Sequence, residues 1–161
     1  TAFVAKPGCR FIISDYSAIE ARVLAWLAGE EWRLQVFETH GKIYEASASA
    51  MFHVPIEEIQ KPSPTQTERK DQQLALGYGG AVGALTSMGA LKMGLTEEEL
   101  PGLVSTWRSA NPHITAFWWA VDDAAITAVR DKKTSRVGRV SFEYKSGILF
   151  VTLPSGRKLL M

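Results

Sequence analysis

At 161 residues the chain is the length of one domain, and its 46% hydrophobic and 22% charged content is that of an ordinary globular protein. Eighteen Lys and Arg against 17 Asp and Glu leave a net charge of +1, which argues against an extended basic groove and leaves only local clusters of cations. Cys9, the single cysteine, excludes an intrachain disulfide framework and fits a reducing, cytoplasmic setting. No apolar run approaches the ~20 residues of a membrane helix, so no membrane partner is expected, and the first ten residues lack a secretory h-region. With no initiator Met and a strand-like run at its end, the chain is expected to be a piece of a longer protein.

Residues 10–14, Arg-Phe-Ile-Ile-Ser, form an apolar, β-branched run that predicts a buried strand. Ser17 and Glu20 have capping-box spacing; Ile19, Val23 and Leu27 continue at helical spacing until Gly29 stops the helix. Helices are predicted over 31–39 and 42–52, a loop over 54–64, and a further helix over 65–76 that ends in Gly77-Tyr78-Gly79-Gly80. Recurrent glycines then predict short helices. Thr96 and Glu99 form a second capping box, opening a helix that runs to about residue 109, and Asn111-Pro112 breaks the chain. The clearest helix spans 114–130, with Phe117, Val121, Ala125 and Val129 as its stripe. Beyond Gly138 the pattern becomes strand-like, over 140–144, 148–153 and 158–161, with Pro154-Ser155-Gly156 as a turn. The fold class is therefore α+β and predominantly helical.

Two constellations carry chemistry. Asp15 would leave the end of the first strand, a rigid support of the kind that two-metal phosphoryl transfer requires, and the Tyr16 carbonyl beside it is a second hard oxygen. Its plainer reading is a turn residue bonded to its own backbone. Lys70, Leu74 and Tyr78, spaced i, i+4, i+8, place a cation, an apolar surface and a ring along one helix side, where a triphosphate, a sugar and a base can be met in turn. The plainer reading of that stripe is an amphipathic helix with a glycine cap.

Taken together, these segments resemble DNA polymerase family A. Residues 15–25, D-Y-S-A-I-E-A-R-V-L-A, resemble its motif A, and residues 70–80, K-D-Q-Q-L-A-L-G-Y-G-G, resemble its motif B on the fingers helix. Residues 41–48 resemble the segment between the two, and residues 153–157, L-P-S-G-R, resemble a run in the phage-type branch. The resemblance implies the fingers of a polymerase hand with a partial palm: motif A strand and helix at 1–29, helical fingers at 30–135 and a β-hairpin region at 136–161. It implies a catalytic role for Asp15 and Lys70, and Mg²⁺ held by Asp15 and the Tyr16 carbonyl, two ions being needed in the full-length enzyme. Tyr16, Ser17, Glu20, Tyr44, Lys70, Leu74 and Tyr78 would bind the nucleotide, with Glu20 as a gate against the 2′-hydroxyl and Tyr78 stacking at the nascent pair. Gly79, Arg136, Arg139 and Arg157 would contact DNA. The implied partners are a DNA primer–template, a dNTP and the rest of the polymerase chain.

The sequence departs from bacterial repair members at Ala18, where they carry Gln, at Gln66, where they carry Arg, and at Tyr44, where relatives often carry His. The family's second carboxylate lies in a His-Asp-Glu motif that these 161 residues do not contain, so the chain alone is expected not to polymerise DNA. A non-catalytic nucleic-acid-binding module of the same fold, and a helical interaction domain, are the competing readings. The three histidines have no zinc-like spacing. Of Phe117, Trp118 and Trp119, which can stack on bases, at least two are expected in the core. The cations between Arg130 and Arg139 read equally as a phosphate patch or a solvated helix end.

Overall fold

A computed structural model of the chain describes residues 3–52, 55–56, 75–87, 89–93 and 95–161. Helices α1 (Ile19–Ala28), α2 (Glu31–Thr39) and α3 (Ile43–Phe52) are followed by α4 (Val82–Ser87), a 3-10 turn (Ala90–Met93), α5 (Leu100–Ala110) and α6 (Pro112–Asp131). Strands β1 (Ser135–Val137), β2 (Val140–Lys145), β3 (Ile148–Thr152) and β4 (Lys158–Leu160) then form one antiparallel sheet in chain order. The α+β, mainly helical class expected from the sequence is the class observed. The predicted loop at 54–64 and the predicted helix at 65–76, with Gln66, Lys70 and Leu74, lie almost wholly outside the described residues. Of that helix only Ala75 and Leu76 fall within them, and the observed helix runs on through Gly77.

Two apolar clusters organise the chain. Met51, Leu76, Leu85, Leu100, Val104, Trp107 and Ile114 join the helices, with Trp107 fully covered. Trp118 stacks on Trp107 at 5.7 Å and 4° between planes, an aromatic contact worth on the order of 1 kcal/mol beyond burial. The second cluster sets Ala124 and Ala128 of α6 against Val140, Phe142 and Val151 of the sheet. The small residues on that helix face let the backbone approach the strands closely. Register follows from two-residue turns: Val137 faces Val140, and Lys145 faces Ile148. Ser146 and Gly147, at φ 52 and 84, have the left-handed conformations that a tight primed hairpin demands.

The structure corrects several expectations. Residues 10–14 are not a buried strand. They pair with no strand among the described residues, and Ile12 and Ile13 are 88% and 89% exposed. Propensity favours extended backbone there, but a strand exists only where a neighbour accepts its ladder. The Ser17–Glu20 capping box does not form either. Ala18, left-handed at φ 52, takes the N-cap place with no side-chain cap, while the Ser17 carbonyl accepts from Arg22 Nε at 2.9 Å. Ile19 and Val23 are each 43% exposed, and α1 turns Ala25 inward instead. On α6 the fully buried residues are Ile114, Ala124 and Ala128, while Val129 of the predicted stripe is partly exposed. Strand β1 was not anticipated. Gly29 does end α1, at φ 71, and Asn111-Pro112 does divide α5 from α6.

The turn after residue 77 is tight. Gly79 N–H donates to Leu76 O at 3.1 Å, and Gly80 N–H to Ala75 O at 2.9 Å. A Cβ at Gly80 would lie 2.5 Å from Ala75 O and 2.9 Å from Ala84 Cβ. Because the first of these is backbone, Gly80→Ala is expected to destabilise the chain by about 1–3 kcal/mol, the usual range for overpacking. Thermal unfolding checks this, and an unchanged Tm would show that the turn relaxes without cost.

Candidate functional site

Helix α1 and the turn at Gly77-Tyr78 meet at a pocket of about 80 Å³. Glu20, Ala21 and Leu24 come from α1, Arg33 from α2, Ile43 and Tyr44 from α3, and Gly77 and Tyr78 close it. Tyr78, itself 70% exposed, lies beside the Glu20 carboxylate at the mouth of this pocket. Hydrogen-bonding interaction with Glu20 raises the phenol above its ordinary pKa, with burial and the negative charge of Glu20 adding in the same direction. Tyr78 is presented by the chain reversal that Gly79 completes at φ 78, a conformation that suits glycine. Ligand pockets usually run to roughly 300–1,000 Å³. The space here is thus a floor behind a surface wall of Glu20 and Tyr78, and a ligand would lie outside it.

Beneath the wall sits a buried polar network. Arg33, 4% exposed, donates through Nε to Asn111 Oδ1 and through Nη2 to Ser47 Oγ at 3.2 Å. Its guanidinium also lies over the rings of Trp32 and Trp107, 5.0 and 5.4 Å from their centroids. Burial pulls Arg33 down to about 10, while Glu30 and Tyr44 act in the opposite direction, so it stays charged near neutral pH. Glu30, 2% exposed, accepts from His113 N–H at 3.0 Å and Ile114 N–H at 3.2 Å, which fastens α2 to the N-terminus of α6. Asn111 Nδ2 in turn donates to Trp107 O at 2.8 Å.

The structure thus brings Glu20, Tyr44 and Tyr78 together on one pocket. Asp15, Tyr16 and Ser17 are exposed in the segment leading into α1 and do not line it. Lys70 and Leu74 lie outside the described residues. Gly79 packs beside Trp118, its would-be Cβ 3.8 Å from the indole. Arg136 is exposed on β1, Arg139 lies 4.6 Å over the Trp26 ring, and Arg157 follows the turn between β3 and β4. None of the three borders the pocket. Within the basic cluster, Arg130 pairs with its neighbour Asp131 at 2.7 Å and Lys132 sits over Tyr144 at 3.6 Å, so part of it is internally engaged. Arg22, which reads in sequence as a surface or ion-pair residue, lies 4.4 Å over the Phe37 ring. Sequence reasoning missed Glu30, Arg33 and Asn111. Only Asn111, directly before a helix-opening proline, carried a signal that could have found it.

Among the described residues no group of three His, Cys, Asp or Glu converges to hold a metal. The Asp15 carboxylate and the Tyr16 carbonyl are hard oxygens of the kind Mg²⁺ accepts, but they make up only part of a coordination shell. No described helix is long and apolar enough to cross a membrane.

An exposed acid thus stands ahead of α1, and Glu20 and Tyr78 border one pocket beside a glycine-rich turn. The family model for "DNA polymerase family A" matches residues 1–137. The chain is 60% identical over 160 residues to a DNA polymerase of Bacillus phage SP02, covering 99% of this chain and 25% of the relative. It is 37% identical over 94 residues to the thermostable DNA polymerase I of Thermus thermophilus, covering 50% of this chain and 11% of that protein. Over 74 residues it is 39% identical to DNA polymerase I of Chloroflexus aurantiacus, covering 46% of this chain and 7% of that protein. The chain belongs to DNA polymerase family A, with a phage polymerase among its relatives. It spans a quarter or less of the length of these relatives.

Proposed function

We propose that this chain is the dNTP-handling part of a DNA-directed DNA polymerase, in which a primer 3′-hydroxyl attacks the α-phosphate of a deoxynucleotide. The division into motif A strand and helix (1–29), fingers (30–135) and a hairpin region returning to the palm (136–161) belongs to the same proposal. Glu20, Tyr44 and Tyr78, brought from three separate segments of the chain to line one pocket, are the observation that carries it. A sugar lying against that wall would meet Glu20 where a 2′-hydroxyl would project. The gate works by crowding.

The other residues take roles around this wall. Lys70 neutralises charge developing on the leaving pyrophosphate, Leu74 flanks the sugar, and the Tyr78 ring stacks at the new pair. Tyr16 and Ser17 complete the nucleotide's surroundings, and Gly79, Arg136, Arg139 and Arg157 contact the primer–template backbone. Asp15 and the Tyr16 carbonyl would hold one side of a two-ion Mg²⁺ site. When bound, the ions supply charge stabilisation and fix the attacking and leaving oxygens in line. The remaining carboxylate comes from the rest of a longer polymerase, as do the strands that would pair with the exposed Phe11, Ile12 and Ile13. The setting is intracellular.

The test is sugar discrimination in a full-length polymerase containing this segment. Glu20→Ala is expected to raise kcat/KM for ribonucleotides relative to deoxynucleotides by roughly 10–200-fold, the range for one small group on a substrate. Unchanged exclusion of ribonucleotides would remove Glu20 from the site.

A further inference from the structure

Of the three consecutive aromatics on α6, Trp119 is 65% exposed, while Phe117 and Trp118 are partly covered. Trp118 reaches across to the helix that ends in Gly77. The last carbonyls of a helix have no partner within it. Here the backbone meets two of them, since Gly80 N–H donates to Ala75 O and Gly79 N–H to Leu76 O. With Gly79 left-handed at φ 78, this is a Schellman cap, and Tyr78 is its C-cap residue. Such a cap leaves the Gly77 carbonyl unmet. Trp118 Nε1–H supplies the missing donor at 3.2 Å, from 41 residues further along the chain. The same indole lies against Gly79, and Leu24 of α1 closes on Gly77 from the pocket side. Trp118 thus touches the residue before Tyr78 and the residue after it.

The indole is itself fixed. It stacks on Trp107, which is 1% exposed, and the Arg33 guanidinium lies over the Trp107 ring while bonded to Asn111 and Ser47. Arg33, Trp107 and Trp118 form a stack from the floor of the pocket to the turn at its mouth. Tyr78, 70% exposed, draws little placement from packing of its own side chain, so its ring goes where its backbone puts it. We propose that Trp118 is a positioning residue: by holding the Gly77 carbonyl it fixes the backbone at Tyr78 and so sets the ring at the mouth of the pocket. Its effect on nucleotide addition rests on the reading of Tyr78 as a nucleotide contact; its hold on Tyr78 does not.

The test uses a full-length polymerase containing this segment, with 3-fluorotyrosine at position 78. Trp118→Phe keeps a ring on Trp107 and removes the N–H donor. The fluorine resonance is expected to shift, and the phenol pKa to fall towards its ordinary value as the ring leaves Glu20. With the natural tyrosine in place, KM for dNTPs should rise about three- to tenfold at nearly constant kcat, the worth of one hydrogen bond. Val104→Ala, a deletion in the same apolar cluster, should lower Tm and leave both resonance and KM unchanged. An unchanged resonance in Trp118→Phe, or the same shift in Val104→Ala, overturns the proposal. A shifted resonance with unchanged KM leaves Trp118 as the residue that places Tyr78 and removes Tyr78 from nucleotide binding.

Discussion

In a full-length polymerase carrying this segment, Asp15→Ala is expected to slow nucleotide addition by about a thousandfold or more while primer–template affinity stays nearly constant. Metal-assisted phosphoryl transfer draws several kcal/mol from the ions, and each 1.36 kcal/mol is tenfold in rate. Asp15 is exposed and has no hydrogen bond or ion pair among the described residues. A turn residue would bond its own backbone, and Asp15 does not. Its replacement therefore removes nothing that holds the fold, and the loss should fall on kcat. Pre-steady-state incorporation measured beside a DNA-binding titration decides the matter. A drop in DNA affinity in step with activity would assign Asp15 to structure or to the DNA interface and sink the metal role.

How much of this was legible in the sequence depended on whether the signal was local. The two helices at 31–39 and 43–52, the stop at Gly29 and the break at Asn111-Pro112 are written in neighbouring residues, and they form where those residues say. The strand at 10–14 was read from propensity, but pairing is a property of two segments, and the described residues offer no second one. The Ser17–Glu20 capping box failed because Ala18, left-handed at φ 52, takes the N-cap place and Ser17 sits one residue outside it. Glu20, Tyr44 and Tyr78 meet on one pocket only through the tertiary fold, which motif spacing alone does not reveal. Strand β1 escaped because its three residues, Ser-Arg-Val, lie in a run of cations that reads as a helix end. Arg33 and Glu30 were invisible for a related reason. Charged residues on a short surface-like helix read as solvated, and only the packing of α2 against the α5–α6 junction buries them.

That burial makes Glu30→Ala the substitution with the largest expected structural effect. The Glu30 carboxylate receives two N–H groups from the first turn of the 20-residue helix α6, whose N-cap residue Asn111 contributes no side-chain cap of its own. It is also the largest charge favouring the cation of Arg33. Removing it leaves one buried and one half-buried N–H unsatisfied and takes away a negative charge that favours the Arg33 cation, a loss of about 3–5 kcal/mol. For a chain of this size each kcal/mol shifts Tm by roughly 2–4 °C, so Tm should fall by about 10 °C. Glu30→Gln keeps an acceptor for the helix but not the charge, and should fall between wild type and Glu30→Ala. Arg33→Met alone leaves Glu30 its two N–H donors but removes the nearby positive charge. Combined with Glu30→Gln it should destabilise less than the sum of the two changes, because the pair acts as a unit. Additive losses in that cycle would show that Glu30 serves α6 alone. Coupled losses would tie the pocket floor under Tyr44 and Tyr78 to the α5–α6 junction, and dNTP affinity should then decline in the same order as stability.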